Sequence, residues 1–323
     1  MVRYALRRLL LLVPVVLGAA AVAFALLLLL PGDPAVALLG QEASGPDLVR
    51  FRHLLGLDRP VPIQLALYFW RIAHGDFGRS VTLSAPVLQL ILSTLPATLE
   101  LAISSIALAI ATGIPLGLVA ARARGTPLDT GTMLLAQLGV SMPVFWLGVL
   151  LILLFAVKLN WLPSFGRGAP FLSSVASGDL RALLDSIRHL CLPACTLAFF
   201  NLAFLSRLTR WALLEVLEED YVRTARAKGQ REGIVVYRHA LSNALLPIVT
   251  IVGLQFGNTL GGAVVTETIY GWPGMGRLVV QAIGQRDFPV VQGAVLALAL
   301  LFSLVNMVVD LTYAFIDPRI RYE

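Results

Sequence analysis

The 323-residue chain is 58% hydrophobic and only 14% charged, with a mean hydropathy of +0.82. Water-soluble globular domains carry about 25% charged residues, so this composition excludes a soluble protein and indicates a protein of the lipid bilayer. The net charge of +6 is attributed to anchoring at the inner membrane surface rather than to nucleic-acid binding.

Six long apolar segments follow one another along the chain. The hydrocarbon core of a bilayer, about 30 Å thick, is crossed by a helix of about 20 apolar residues. None of the segments shows the alternating pattern of an outer-membrane barrel strand. The predicted fold class is therefore an all-α polytopic membrane protein with six transmembrane helices, at residues 9–30, 97–121, 133–157, 190–209, 244–268 and 290–314.

The first span and the segment that follows it divide the sequence into parts. Residues 1–30 form an N-terminal end and a first helix, which is longer than the apolar region of a signal peptide, so we expect it to be retained. Residues 31–96, which we predict to be an extracytoplasmic loop region, are too long for a simple connector. Two apolar patches in this segment, VPIQLALYFWRI and VLQLILS, predict short helices that lie at the membrane interface or cap the cavity. Residues 97–323 contain the other five spans.

The distribution of basic residues predicts the orientation in the membrane. Short loops on the cytoplasmic side of a membrane protein carry an excess of lysine and arginine. With the N-terminus inside, the inner loops contain Arg122, Arg124 and a cluster from Arg207 to Arg238, and the short outer loops contain fewer basic residues. Both termini are therefore predicted to be cytoplasmic.

Catalytic and cofactor motifs are missing from the sequence. The only lysines are Lys158 and Lys228, and neither follows a glycine, which excludes a G-x-x-x-x-G-K-[ST] phosphate loop. His189, Cys191 and Cys195 are too few and too crowded for a convincing metal site, and we interpret the cysteines as packing residues. We expect no enzymatic activity, no metal and no cofactor in this chain.

The fifth predicted span has two distinct faces. Gly253, Gly257 and Gly261 recur every four residues, so they lie on one face and favour close packing of another helix. The opposite face carries Gln255, Thr259 and Thr266. These polar side chains are interpreted either as the lining of a pore or as hydrogen-bonding partners of a neighbouring helix.

A strongly charged segment, DYVRTARAKGQREG, occupies residues 220–233 between the fourth and fifth spans. Strong helix formers at 216–229 predict a short helix that ends at Gly229, and Gly233 predicts a second break in the chain. A simple basic anchor for the inner leaflet would not need Tyr221 or the small side chains around Ala225. We therefore interpret the segment as a helix that docks on a partner protein.

The same segment resembles the cytoplasmic EAA loop of ABC-transporter permeases of the dipeptide/oligopeptide/nickel branch. Set on Gly229, the generic E-A-A triplet falls on Arg223, Thr224 and Ala225, so the family glutamate is replaced by arginine. Other stretches are similar to the same branch and occur in the same order: LPGDPA at 30–35, LGLDRPVPIQ at 55–64, GDFGRS at 75–80, LPATLELA at 95–102, SMPVFWLG at 141–148, TETIYGWPGMGRL at 266–278 and DPRIR at 317–321.

The resemblance implies a type I ABC importer permease fold, with 97–323 as the permease core and 210–243 as the loop that couples to the ATPase. The coupling residues are then Tyr221, Arg223, Thr224, Ala225, Arg226, Ala227, Lys228 and Gly229. The implied partners are a second homologous permease, two ATPase subunits that bind ATP and magnesium, an extracytoplasmic solute-binding protein and the lipid of a bacterial inner membrane. The implied cargo is a dipeptide, an oligopeptide or a related solute such as a nickel complex, glutathione or an oligosaccharide.

A stand-alone channel or secondary transporter is the main alternative, and a membrane-embedded enzyme is a weaker one. These alternatives differ from a permease subunit in whether the chain requires partner proteins for its activity. A permease subunit requires ATPase partners and is inert by itself, whereas a carrier or an enzyme works when purified alone.

Overall fold

The structure is a computed structural model that describes residues 2–29, 45–46, 49, 52–53 and 58–316. The predicted motifs at 30–35 and 317–321 lie outside the described residues. Over the described part the chain is helical and contains no strand, and its one isolated antiparallel bridge joins Arg79 to Pro86. The all-α class predicted from the sequence is confirmed.

Most of the described chain lies in eleven helices, which we number in chain order. They are α1 (Val2–Leu29), α2 (Val61–Ala73), α3 (Val87–Arg122), α4 (Pro127–Ser141), α5 (Val144–Leu151), α6 (Phe171–Ser177), α7 (Leu180–Leu217), α8 (Asp220–Ala227), α9 (Leu241–Ile269), α10 (Met275–Gly284) and α11 (Phe288–Ile316). A π-helical turn, Ile152–Lys158, continues α5. A helical turn, Glu232–Ile234, and a π-helical segment, Val235–Ala240, lead directly into α9.

Four described helices are long and apolar enough to cross a membrane: Val87–Arg122, Leu180–Leu217, Pro247–Ile269 and Phe288–Val309. A further candidate is the pair α4 and α5, which is bent by 104°. The first predicted span corresponds to α1, whose shorter apolar stretch runs from Leu10 to Ala25. Each of the six predicted spans therefore coincides with a helix or a helix pair.

The third predicted span, 133–157, is not a straight helix. The helix is interrupted between Ser141 and Val144, where Met142 and Pro143 adopt extended backbone with ψ of 128° and 133°. Proline cannot donate a backbone hydrogen bond and disfavours helical backbone in the residue before it. The prediction of one continuous helix over 133–157 was wrong, because it did not take into account that Pro143 interrupts a helix.

The second predicted span begins earlier than expected. The patch VLQLILS, predicted as a separate short helix, forms the first two turns of α3, which runs without interruption to Arg122. That prediction was wrong. The other patch, VPIQLALYFWRI, does form the separate short helix α2, with Pro62 in its first turn.

The described chain divides into two compact units. The first contains the described residues up to residue 98 together with 273–307. Its core joins the start of α3 to α10 and α11 through the buried side chains Val87, Ile91, Met275, Leu278, Ala282, Val290 and Ala294. Ser80 donates a hydrogen bond to the buried Asp287 carboxylate, which holds the loop after Gly78 against the start of α11.

The second unit contains the described residues 99–272 and 308–316. Its central element is α7, which packs along α4 and α9. Close approach of α3 to α7 is possible because Gly117 has no side chain: a Cβ atom there would lie 2.4 Å from the Ser206 carbonyl oxygen. On α4, a Cβ atom at Gly139 would lie 2.7 Å from Ala203 Cβ.

Candidate functional site

The charged segment after α7 forms the short helix α8. Glu219 precedes it with extended backbone, and Thr224 Oγ1 donates to the Asp220 carbonyl oxygen at 2.9 Å. The helix ends in a Schellman motif, in which Gly229 N donates to Arg226 O at 2.9 Å and Gln230 N donates to Ala225 O at 3.4 Å. Gly229 has a φ of +75°, a left-handed conformation that glycine adopts without strain. The predicted helix end at Gly229 is confirmed.

One face of α8 is buried in the second unit. Val222 is fully buried and Ala225 is 7% exposed, and both pack on the buried Val235 with Val216 and Leu217 alongside. Residues three apart share one face of a helix, so this pair fixes which way α8 is turned. Ala225, one of the predicted coupling residues, therefore supports the helix from within rather than lying on its outer surface.

The other predicted coupling residues lie on the exposed part of α8 and its end. Arg223 is exposed and its pairing with Asp220 is long, at 3.3 Å. The exposed set is Tyr221, Arg223, Thr224, Arg226, Ala227, Lys228 and Gly229. The arrangement is a small, mainly cationic surface on a helix whose opposite face is fixed by packing.

Arg226 differs from its exposed neighbours because it already has a partner. Its guanidinium forms two hydrogen bonds to the Glu232 carboxylate, at 2.7 and 3.2 Å, and a longer one of 3.4 Å to the Leu217 carbonyl oxygen. The hydrogen bonds with Glu232 raise the pKa of Arg226 and lower the pKa of Glu232. Arg226 therefore joins the end of α7 to the chain beyond α8.

Two further hydrogen bonds tie α8, and the residues just after it, to the first turn of α9 and to the π-helical segment before it. Asn243 Nδ2 donates to Tyr221 Oη at 2.8 Å, and Gln230 Oε1 lies 2.7 Å from His239 Nε2. The second break predicted at Gly233 is absent, and that prediction was wrong. Gly233 lies in the first helical turn after Arg231, where glycine costs less than it does in the interior of a helix.

A cavity of about 440 Å³ lies beside α8, at the ends of α3 and α7. Two ion pairs border it: Arg226 with Glu232, and Arg124 with Glu218 at 3.0 Å. The charged surface of α8 therefore continues onto the ends of two long helices. Its lining consists of Ala121, Arg122, Arg124, Leu214, Leu217, Glu218, Arg226, Glu232 and Val236.

The polar side chains predicted on the fifth span form a buried network with α7. Gln255 Nε2 donates to Asn201 Oδ1 at 3.2 Å, and Asn201 Nδ2 donates to Thr259 Oγ1 at 2.9 Å. All three are less than 10% exposed. Thr266 is fully buried, and its hydroxyl has no hydrogen-bond partner within the described residues. This placement favours the helix-packing interpretation, and pore lining stays a prediction.

The three predicted packing glycines have different surroundings. Gly253 is buried, and a Cβ atom there would lie 2.2 Å from Val309 of α11, so this glycine allows close helix contact. Gly257 is also buried. Gly261 is exposed, and no described atom lies within 4 Å of a Cβ atom built on it. Gly261 therefore packs against no helix of the described chain.

Two polar contacts were not predicted from the sequence. Asn201 was overlooked, although a single amide in the apolar stretch FFNLAFL is as strong a signal as the polar side chains of the fifth span. Glu100 forms a largely buried ion pair with Arg167, whose guanidinium lies 5.9 Å from the centre of the Trp272 ring.

The described residues include no group of three or more histidine, cysteine, aspartate or glutamate side chains placed to hold a metal ion. Cys191 and Cys195 are free thiols on α7. The expectation that this chain carries no cofactor remains a prediction.

Two family models match the chain. Residues 113–322 match the family described as "Binding-protein-dependent transport system inner membrane component". Residues 1–102 match the N-terminal region of membrane components of the same transport systems. Together the two matches include α8, the bent third span and the segment between the first and second spans.

Curated relatives are similar along the whole chain. The dipeptide transport system permease protein DppB of Alkalihalophilus pseudofirmus is 44% identical over 333 residues, covering 100% of both chains. The di/tripeptide permease protein DppB of Pseudomonas aeruginosa is 44% identical over 335 residues, with the same coverage. The dipeptide permease protein DppB of Escherichia coli K12 is 41% identical over 342 residues, again with 100% of both chains covered.

Solved structures support the fold. Chains from two inward-facing structures of the MetNI methionine ABC transporter match with TM-scores of 0.55 and 0.57. Each is 18% identical and covers 71% of this chain and 97% of its own. The predicted fold, that of an ABC importer's membrane subunit, is confirmed by this likeness.

Proposed function

The chain belongs to the family of binding-protein-dependent transport system inner membrane components, and from this premise we propose that it is the permease subunit of an ATP-driven peptide importer. The observation that carries the proposal is similarity to dipeptide permeases over 100% of both chains. Similarity of this extent includes the spans, the outer segment and the charged loop together. It therefore supports a shared role for the whole chain rather than for one motif.

The docking site on this chain for an ATPase is the outer surface of α8. Its buried face is held by Val222 and Ala225, so force applied to the helix passes to the elements beneath it. The exposed Arg223 and Lys228 suit a groove with acidic or polar walls, because exposed cations recognise such surfaces by charge complementarity. The left-handed Gly229 ends the helix sharply, which leaves this surface as a short projection.

The path from α8 to the spans is short on both sides. Only Glu218 and Glu219 separate α7 from α8, and the segment from Glu232 continues without a helix break into α9. Displacement of α8 therefore acts on the inner ends of two spans at once. Nucleotide chemistry belongs to the partner ATPases, which bind ATP and magnesium, whereas this chain supplies the docked helix and the moving spans.

The remaining partners follow from the type of transporter. A second, homologous permease completes the pathway, and two ATPase subunits bind at the cytoplasmic side. An extracytoplasmic solute-binding protein delivers cargo on the opposite side, which is the side predicted for the sequence segment 31–96. The site of action is a bacterial inner membrane with both termini in the cytoplasm, as the basic residues of the short loops favour.

Purification of the tagged chain from its native membrane in mild detergent tests this assembly. We expect a second six-span permease and P-loop ATPases in stoichiometric amounts, identified by mass spectrometry. Reproducible recovery of the chain alone, with solute movement in vesicles that needs no ATP, would contradict the proposal and favour a stand-alone carrier.

A further inference from the structure

An ion pair at one end of the third span joins two helices of the second unit. Both oxygens of the Asp129 carboxylate accept hydrogen bonds from Arg210, from Nε at 2.7 Å and from Nη2 at 2.7 Å. Asp129 lies in the first turn of α4, and Arg210 lies in α7 about two turns before its end. Asp129 Oδ2 also accepts from Gly125 N at 3.1 Å.

The geometry of this pair restricts orientation as well as distance. A guanidinium that meets a carboxylate through two parallel hydrogen bonds keeps both groups in one plane, which a single lysine bond cannot do. The side chains are 7% exposed for Asp129 and 27% exposed for Arg210. Because the carboxylate is buried, loss of its partner leaves a charge without compensation, so the two helices resist separation.

The same face of α7 contacts α4 at further points towards its centre. Arg207 Nη1 donates to Gln137 Oε1 at 3.2 Å, and Gly139 packs closely against Ala203. Positions 203, 207 and 210 share one side of a helix. The contact between α4 and α7 thus begins with a charged pair and continues with packing up to the bend before α5.

The bent span is tied to α7 beyond the bend as well. Tyr270 Oη donates to the Gly148 carbonyl oxygen of α5 at 3.1 Å and lies 2.8 Å from Thr196 Oγ1 of α7. Hydrogen bonds therefore hold both arms of the bent span to one long helix. The charged pair is the connection nearer to α8, where Val222 and Arg226 contact the end of α7.

We propose that Asp129 and Arg210 are positioning residues that transmit displacement of α8 through α7 to the bent third span, so that the two spans switch together during transport. The pair acts through the helices it joins, α4 and α7. This inference rests on the proposed function, because it assumes that ATP-driven motion enters the chain at α8.

The test uses the complete assembly in liposomes and measures ATP hydrolysis and labelled dipeptide uptake in the same sample. For Arg210→Gln and Asp129→Asn we expect ATP hydrolysis to continue while dipeptide moved per ATP falls by about tenfold, a typical size for coupling between sites. The exchange Asp129→Arg with Arg210→Asp restores the charge pair, and we expect it to recover a large part of the loss.

Arg188→Gln is the matched control. It removes an exposed arginine from the same helix, α7, at the end away from α8. Surface substitutions away from buried contacts usually have little effect, so we expect unchanged dipeptide uptake per ATP. A readout of uptake per ATP separates coupling from a general loss of folded protein.

Three results would overturn the inference: normal uptake per ATP in Arg210→Gln, no recovery in the exchanged pair, or loss of assembly in Asp129→Asn with normal coupling in what remains. A wild-type assembly that moves no dipeptide with ATP would instead contradict the proposed function. The two failures are therefore distinguishable in one series of samples.

Discussion

At the residue scale, the end of α8 depends on the backbone conformation of one residue, Gly229. Its φ of +75° lies in the left-handed region, and its amide donates a hydrogen bond to Arg226 O at 2.9 Å. Glycine adopts this conformation without strain, and a left-handed residue of this kind typically ends a helix. The short helix therefore depends on a backbone that few other residues adopt.

Substitutions at Gly229 should follow the cost of left-handed backbone. We expect Gly229→Asn to behave like the wild type, because asparagine tolerates this conformation. Gly229→Ala should weaken the end of α8 by about 1 kcal/mol, and Gly229→Pro should uncouple ATP hydrolysis from uptake. Proline cannot adopt a positive φ and cannot donate the hydrogen bond to Arg226 O.

Dipeptide uptake per ATP in the reconstituted assembly measures this series. Gly166→Ala is the control. It replaces another glycine with a positive φ, +87°, at a position far along the chain from α8. Equal uncoupling in Gly166→Ala and Gly229→Ala would argue against a specific role for the end of α8.

The amide network distinguishes pore lining from helix packing. Gln255→Leu leaves Asn201 with an unpaired buried group, and we expect a loss of about 1 to 2 kcal/mol in stability. Adding Asn201→Leu removes both partners, so the double variant should regain much of that stability. Thermal unfolding in detergent and dipeptide uptake, measured on the same samples, form the test.

The two interpretations predict different uptake in the double variant. If the network serves only packing, uptake should return together with stability. A stable double variant that still fails to transport would show that the polar groups face the pathway, in agreement with the pore-lining interpretation.

At the element scale, hydrophobic length identified the spans but not their shape. The fourth predicted span was placed at 190–209, yet α7 runs from Leu180 to Leu217. The apolar stretch marks the part that suits lipid, and the helix continues into more polar sequence because helix propensity and packing do not end at the membrane. The bend before α5 depends on Pro143. A count of apolar residues does not detect this local signal.

The two faces of α8 can be tested with two alanines. Ala227 is exposed and Ala225 is buried against Val235. Ala227→Trp should block ATPase docking while leaving the stability of the chain unchanged. Ala225→Leu should destabilise the chain by about 1 to 3 kcal/mol, because it overpacks a filled contact.

Co-purification of the ATPases and thermal unfolding of the isolated chain measure the two effects separately. Normal ATPase recovery with Ala227→Trp would remove the exposed face of α8 from the docking surface. Ala225→Leu serves as the comparison, because its effect on the thermal unfolding of the chain does not depend on ATPase docking.

At the scale of the whole molecule, composition identified a membrane protein and the order of motifs identified its relatives. What the sequence could not supply is the pairing of elements within each unit, such as Asp129 with Arg210 or Glu100 with Arg167. These contacts join residues 67 to 81 positions apart. No local sequence pattern predicts which of these distant residues form a pair, because many alternative pairings of the same charges are compatible with one sequence.

The predicted orientation gives a labelling test. In a variant with Cys191→Ala and Cys195→Ala, the exposed Leu172→Cys of α6 should react with a membrane-impermeant maleimide in spheroplasts. The exposed Lys228→Cys should react only after the membrane is opened. Reaction of Lys228→Cys in sealed spheroplasts would place α8 outside the cell and exclude contact with cytoplasmic ATPases.

The most direct test of the account is ATP-dependent uptake by the purified assembly. Liposomes that contain this chain with its co-purified permease and ATPases, supplied with the solute-binding protein and ATP at their respective faces, should accumulate labelled dipeptide. The chain alone should accumulate none under the same conditions. Uptake by the chain alone, independent of ATP, would contradict the central claim that this protein is the permease subunit of an ATP-driven importer.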